Sequence, residues 1–211
     1  MSRLSVTSFE ILAVILTAAG KFVFIDWLNQ KFWYVSMACL GWLIYVLRQL
    51  KKNPKKVRQW GFGKRGFRPS LRYLFPFAAV SLAIFIVYGF WSGRAVIHWH
   101  IIPILILYPL WGTIQHFLLI ALVAGNLNRM DTPKLSHWSI VLFTATLFSL
   151  VHYPSYGLMG ATFLLAALYV NTYIKFENLW ALGLIHGWLG ACFYYLVLGR
   201  DTWVEFVAAV Q

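Results

Sequence analysis

Charged residues are scarce in this chain of 211 residues, because Asp, Glu, Lys and Arg make up 11% of it. Soluble domains carry about 25%. Hydrophobic residues make up 61% of the chain, so a soluble fold would have too little polar surface to cover itself. A bilayer is the alternative solvent, and each helix that spans it needs about 20 apolar residues. Several continuous runs of this kind occur, and the composition therefore predicts an all-α, polytopic membrane helical bundle.

Cysteine is almost absent as well, since the chain has only 2 cysteines. Cys39 and Cys192 are far apart in sequence, and both fall inside apolar runs. Two isolated cysteines form neither a disulfide framework nor a cysteine-based metal motif. We expect them to act as small apolar side chains.

Runs of apolar residues separated by turn-forming Gly and Pro predict about seven transmembrane helices. We divide the chain into residues 1–73, which hold two spans and a basic loop, and residues 74–211, which form the membrane core. The predicted spans cover residues 9–25, 32–49, 74–92, 101–124, 138–152, 157–174 and 179–198.

Positive charge is concentrated in one segment, because ten of the 18 Lys and Arg residues lie between Arg48 and Arg72. Loops rich in Lys and Arg stay in the cytoplasm, so we expect an integral protein of a bacterial inner (plasma) membrane with this loop cytoplasmic. A net charge of +12 would also suit nucleic acid. Its concentration beside predicted spans instead favours the bilayer itself, with anionic lipid head groups at residues 48–72. We expect no nucleic-acid partner.

Histidines are the notable polar residues of the predicted spans. An ionisable side chain in hydrocarbon is costly and usually faces the interior of a bundle. A single histidine is most simply explained as a hydrogen bond between helices, but three on separate late spans suggest a shared site. These three are His116, His152 and His186, whereas His98, His100 and His137 lie near span ends and are expected at the membrane interface.

Two local patterns support a polar interior. Gln115 precedes His116 within an otherwise apolar run. Gly183, Gly187 and Gly190 surround His186 in GLIHGWLG, and small residues of this kind let helix backbones approach closely.

Two sequence motifs carry a resemblance to a known family. FSLVH at 148–152 and ENLWALGLIHGWLGA at 177–191 resemble the second and third helices of the CPBP family, the CAAX prenyl protease 2 and bacteriocin-processing (Abi-like) intramembrane proteins. That family has three helical motifs, EExxxR, FxxxH and HxxxN. The resemblance covers residues 109–195 and implies a CAAX-protease-like core.

The resemblance also implies site residues. In the family, a motif glutamate and the FxxxH histidine activate water, and the third-motif His and Asn hold the oxyanion. Here Gln115 and His116 occupy the positions of the two glutamates, and His152 and His186 match the two histidines. Ile120 replaces the arginine and Gly190 replaces the asparagine. No cofactor is implied.

Three functions remain open at this stage. The first is a non-catalytic family member that binds a partner helix, a peptide or a lipid, since a fold does not imply an activity. The second is an active intramembrane protease that uses His152 or His116 as its base. The third is a metal site formed by His116, His152 and His186.

Carboxylates bear on all three functions. The six acidic residues include none inside the last four spans, and Glu10, near one end of the first span, does not obviously replace the missing base. The alignment also predicts that Gln115, His152 and His186 converge within a few ångströms.

Overall fold

The computed structural model describes residues 3–131 and 134–208, and every regular element within these ranges is helical. Three π-helical stretches, Lys21–Trp27, Phe117–Ala124 and Phe193–Leu198, continue α1, α5 and α9 respectively. The α-helices are α1 (Arg3–Gly20), α2 (Lys31–Lys52), α3 (Lys56–Gln59), α4 (Phe67–Trp91), α5 (Ile101–His116), α6 (Gly125–Arg129), α7 (His137–Leu150), α8 (Tyr156–Phe176), α9 (Leu179–Cys192) and α10 (Thr202–Ala208).

Five helical stretches in the described ranges are long and apolar enough to cross a membrane: Thr7–Trp27, Phe67–Trp91, Ile101–Arg129, Tyr156–Phe176 and Leu179–Leu198. The other two predicted spans are also helical, as α2 and α7. The 14 residues of α7 give a length of about 21 Å, which is short of the bilayer core of about 30 Å. The all-helical, membrane-type architecture is confirmed, and the count of seven spans stays a prediction.

The outer surfaces of the long helices are apolar, as a bilayer requires. On α4, large hydrophobic side chains are exposed along its length, among them Phe75, Val80, Ile84, Val87 and Phe90. A soluble monomer rarely exposes an apolar patch of this extent. Such a surface is stable where lipid chains cover it.

The chain forms two compact units, and the first comprises Met1–Gly63 and Phe117–Glu177. Within it, α7 packs along α8, and α1 packs against the π-helical stretch Phe117–Ala124. Its core includes the fully buried Phe148, Tyr169 and Tyr173. Ser136 caps the N-terminus of α7 by accepting a hydrogen bond from the Ser139 amide at 3.1 Å.

The second unit comprises Lys64–His116 and Asn178–Gln211. Its centre is the α5–α9 helix pair, and α4 packs against α9. Asn178 starts α9 as its N-cap and accepts a hydrogen bond from the Ala181 amide at 3.0 Å. This division by contacts differs from the sequence-based one at residues 73 and 74, which stays a prediction.

The two cysteines are free thiols in different units, with Cys39 exposed and Cys192 half-buried. This agrees with the expectation that they form no disulfide framework. The exposure of Cys39 places it on the outer surface of its unit rather than among buried side chains.

Candidate functional site

The α5–α9 pair brings two of the predicted histidines together inside the second unit. His116 ends α5 and is fully buried, and the half-buried His186 lies on α9. Their rings meet edge to face, with centroids 4.7 Å apart. Two residues 70 positions apart in sequence (186 − 116) therefore form one buried imidazole pair.

Glycines on α9 make this pairing possible. A Cβ atom on Gly187 would lie 2.5 Å from Pro109 Cα, and one on Gly183 would lie 2.8 Å from Thr113 Cα. Both neighbours are backbone atoms of α5, so a side chain at either position would push the helices apart. The predicted close approach is confirmed at Gly183 and Gly187. It is absent at Gly190, where a Cβ would meet Tyr108 at an ordinary 3.7 Å.

Gln115 supplies a further polar group next to this pair in sequence. Its side-chain oxygen Oε1 is buried and has no hydrogen-bond partner among the described residues. A buried amide oxygen without a donor costs about 1–3 kcal/mol. Lipid chains do not offset this cost, because they donate no hydrogen bonds.

The described part of this unit has two carboxylates, and both are bonded to residues other than the imidazole pair. The acidic residues there are Asp201 and Glu205, and both follow the end of the Leu179–Leu198 stretch. Asp201 bonds His100, and Glu205 forms an ion pair with Arg200 at 2.7 Å. Both acids of this unit are thus engaged with His100 and Arg200, whereas in a catalytic triad an acid orients the histidine base and stabilises its imidazolium.

His152 belongs to the other unit, where it lies in the turn that follows α7. Its Nδ1 is 2.9 Å from the Phe148 carbonyl oxygen. A carbonyl only accepts, so Nδ1 carries the proton and Nε2 is left as the acceptor in the neutral ring. The FSLVH motif therefore fixes one imidazole tautomer, and the convergence of His152 with Gln115 and His186 stays a prediction.

No family model, curated protein or solved structure matches this chain. The likeness to the CPBP family accordingly remains a resemblance of short motifs.

A second polar cluster, in the first unit, involves a residue that sequence reasoning set aside. Glu10 on α1 is only 3% exposed. It accepts hydrogen bonds from Asn126 Nδ2 at 2.6 Å and from the Tyr45 hydroxyl, and Lys56 Nζ lies 3.3 Å away. Lys56 also lies over the ring of the buried Trp60 at 5.3 Å. The sequence feature that could have revealed this cluster is Glu10 itself, a carboxylate within an apolar predicted span.

Glu10 does not replace the missing base beside His152. Lys21, eleven residues further along the first span (21 − 10), donates a hydrogen bond to the carbonyl oxygen of Tyr153 at 2.7 Å. Eleven residues of helix separate two positions by about 16 Å. Glu10 and the His152 turn therefore lie towards opposite ends of α1, which agrees with the sequence-based expectation.

A third cluster, again in the second unit, lies outside the long helices, with His98 and His100 just before α5 and Asp201 just after the Phe193–Leu198 stretch. His100 Nδ1 is 2.7 Å from Asp201 Oδ2, and His98 is in ring contact with His100 at 4.0 Å between centroids. Partial burial by itself raises the pKa of Asp201, but hydrogen bonds from His100 and Tyr195 outweigh it and lower the pKa to about 2. Sequence reasoning treated both histidines only as interfacial, although His-x-His spacing was visible.

Few cations of the basic segment between Arg48 and Arg72 form ion pairs. Of the ten Lys and Arg residues between Arg48 and Arg72, Lys56 pairs with Glu10. Within the described ranges the other nine are exposed and form no ion pair: Arg48, Lys51, Lys52, Lys55, Arg58, Lys64, Arg65, Arg68 and Arg72. Unpaired cations beside apolar helices are suited to contact anionic head groups.

Proposed function

We propose that this chain is a non-catalytic, CPBP-like integral membrane protein that binds a partner helix, a peptide or a lipid at Gln115, His116 and His186. The observation that carries the proposal is a His116–His186 imidazole pair in a unit whose two acidic residues, Asp201 and Glu205, are bonded to His100 and Arg200 instead. Hydrolysis by a histidine base produces an imidazolium, and an adjacent carboxylate normally stabilises that charge. A site without one is poorly suited to activate water.

Oxyanion stabilisation is weakened in the same site. Gly190, one turn after His186, has no side chain to donate a hydrogen bond where the family motif has asparagine. Loss of one such donor costs about a hundredfold or more in rate. The acid would stabilise the imidazolium and the donor would stabilise the oxyanion, and both charges develop in the same attack of water on the carbonyl. The two changes together favour binding without catalysis.

Binding is favoured by the unsatisfied oxygen of Gln115. A ligand that brings an N–H or O–H donor to Oε1 would recover about 1–3 kcal/mol. Peptide amides, polar side chains of a partner helix and lipid hydroxyls all supply such a donor. Lipid tails do not, so the site would select ligands that have polar groups at that depth.

The basic segment fits the same membrane location. Each Lys or Arg near an anionic surface contributes about 1 kcal/mol to attraction, and nine exposed cations are available between Arg48 and Arg72. We place this segment on the cytoplasmic side of a bacterial inner membrane, where anionic lipid is found. The proposal includes no nucleic acid.

The test applies native mass spectrometry to wild-type and variant protein, each extracted gently from native membranes. The wild-type chain should carry a bound ligand, seen as added mass, and Gln115→Leu should lose it. Thr113→Ala is the matched control, because the Thr113 hydroxyl on the same helix is already bonded to the Pro109 carbonyl at 2.7 Å. Equal bound mass in wild type and Gln115→Leu would contradict the proposal.

A peptidase assay tests the non-catalytic part. Purified protein in lipid nanodiscs is incubated with labelled transmembrane and prenylated peptides, and cleavage is followed by mass. We expect none. Cleavage that disappears in His152→Ala or His116→Ala would establish the active protease instead.

A further inference from the structure

A cluster separate from the imidazole pair has the composition of a metal site. One nitrogen from each of His98 and His100 and one oxygen of Asp201 all lie within 4.8 Å of one another. His98 is exposed, and the other two are half-buried. We propose that these three residues bind a divalent transition-metal ion of the Zn²⁺ class.

The donor set matches that class of ion. Two imidazoles and one carboxylate, at about 2.0–2.2 Å from the metal, form a common Zn²⁺ site with a further position open to water. Donors at these distances in a tetrahedral site lie about 3.3–3.5 Å apart, which follows from the bond lengths. The three donor atoms lie within 4.8 Å of one another, so small displacements would bring them to that spacing. Hard cations such as Mg²⁺ prefer all-oxygen ligands, so the histidines favour a transition metal.

The surroundings hold Asp201 in position. Its second oxygen, Oδ1, accepts hydrogen bonds from the Tyr195 hydroxyl at 2.7 Å and from the Trp203 amide at 3.0 Å. Oδ2 is the oxygen that faces His100. Hydrogen bonds to the oxygen that does not face the site are the outer-shell contacts that orient metal ligands.

The histidine segment is fixed to the same part of the unit. The Val96 amide donates to the Tyr195 carbonyl at 2.8 Å. Gly199 has a positive φ of 65°, and a Cβ there would lie 3.0 Å from the Arg94 carbonyl oxygen. The segment before His98 and the turn before Asp201 are therefore packed together, which reduces the ordering needed to bind an ion.

Metal binding would replace the proton of one hydrogen bond. The His100 Nδ1–H donates to Asp201 Oδ2 at 2.7 Å. A metal ion between these two atoms would take the place of that proton, and the neutral ring, which is the form that binds metal, would carry its proton on Nε2 instead. The exposed face of His98 provides the path for the ion.

The experiment titrates tag-free, full-length protein in detergent with Zn²⁺ and with Co²⁺, whose visible absorption reports histidine coordination. Asp201→Asn is the most informative variant, because an asparagine oxygen can still accept the hydrogen bond from the Trp203 amide at the start of α10 but the carboxylate charge is lost. We expect one ion per chain for wild type and at least about tenfold weaker binding in both Asp201→Asn and His100→Ala. His137→Ala is the control, since His137 lies in the other unit and bonds Asn171 at 2.5 Å.

The wild-type titration decides the matter even if a variant fails to fold. No ion bound at micromolar Zn²⁺, or equal affinity in wild type and folded Asp201→Asn, would overturn the proposal. Weaker binding in His137→Ala by the same factor would do so too, because it would show adventitious surface binding.

Discussion

Gly187→Ala tests the helix packing that produces the imidazole pair. The added Cβ would lie 2.5 Å from Pro109 Cα, where ordinary contacts between carbon atoms are about 3.5–4.0 Å. The α5 backbone must therefore move away by about 1 Å, and contacts along the helix pair weaken. Overpacking of this kind costs about 1–3 kcal/mol. For a chain of this size each kcal/mol lowers Tm by about 2–4 °C, so we expect a fall of about 2–12 °C.

The measurement is thermal unfolding of purified protein in one detergent, followed by circular dichroism and by tryptophan fluorescence. Gly190→Ala is the matched control on the same helix, because its Cβ would meet Tyr108 at 3.7 Å. Alanine favours helix over glycine by about 1 kcal/mol, so Gly190→Ala should keep or slightly raise Tm. Equal Tm values for the two variants would refute the close approach of α5 and α9.

Three further predictions use the same unfolding assay. Glu10→Ala should lower the free energy of unfolding by about 3–5 kcal/mol, because it leaves the partners of a buried carboxylate unpaired. Glu205→Ala, the control in an exposed ion pair, should lower it by less than about 1 kcal/mol. Similar losses in the two variants would argue against the buried cluster. Gln115→Leu should raise Tm of the ligand-free chain, since it removes an oxygen without a donor that costs about 1–3 kcal/mol, and a lower Tm would show that this oxygen is satisfied. Asn178→Ala should lower stability by about 1–2 kcal/mol through loss of the α9 cap; an unchanged Tm would contradict that role.

Much of the architecture could be predicted because lipid imposes a simple rule. Apolar runs of sufficient length become helices, since only internal hydrogen bonds satisfy a backbone in hydrocarbon. The predicted spans correspond to helices, and the glycines beside His186 lie at a close helix crossing, as at Gly187. The pattern did not separate Gly187 from Gly190, because helical spacing alone does not show which face meets α5.

The candidate sites were predictable only in part. His116 and His186 were singled out as polar residues in apolar spans, and they do meet. Glu10 carried the same signal, but its partners Tyr45, Lys56 and Asn126 come from segments far along the chain. A set of residues from such distant segments has no characteristic spacing in the sequence.

Composition and hydrophobic patterning, then, determined that this chain is helical, suited to a bilayer, and supplied with a few polar residues that must be sheltered. Which of those residues meet was decided by tertiary structure. Helix packing brought His116 against His186, while the chain after Leu198 placed Asp201 of the same unit beside His100 instead. The reason is physical: hydrophobicity acts on each segment by itself, whereas a site requires atoms from distant segments to lie within a few ångströms, and only the packed backbone fixes those distances.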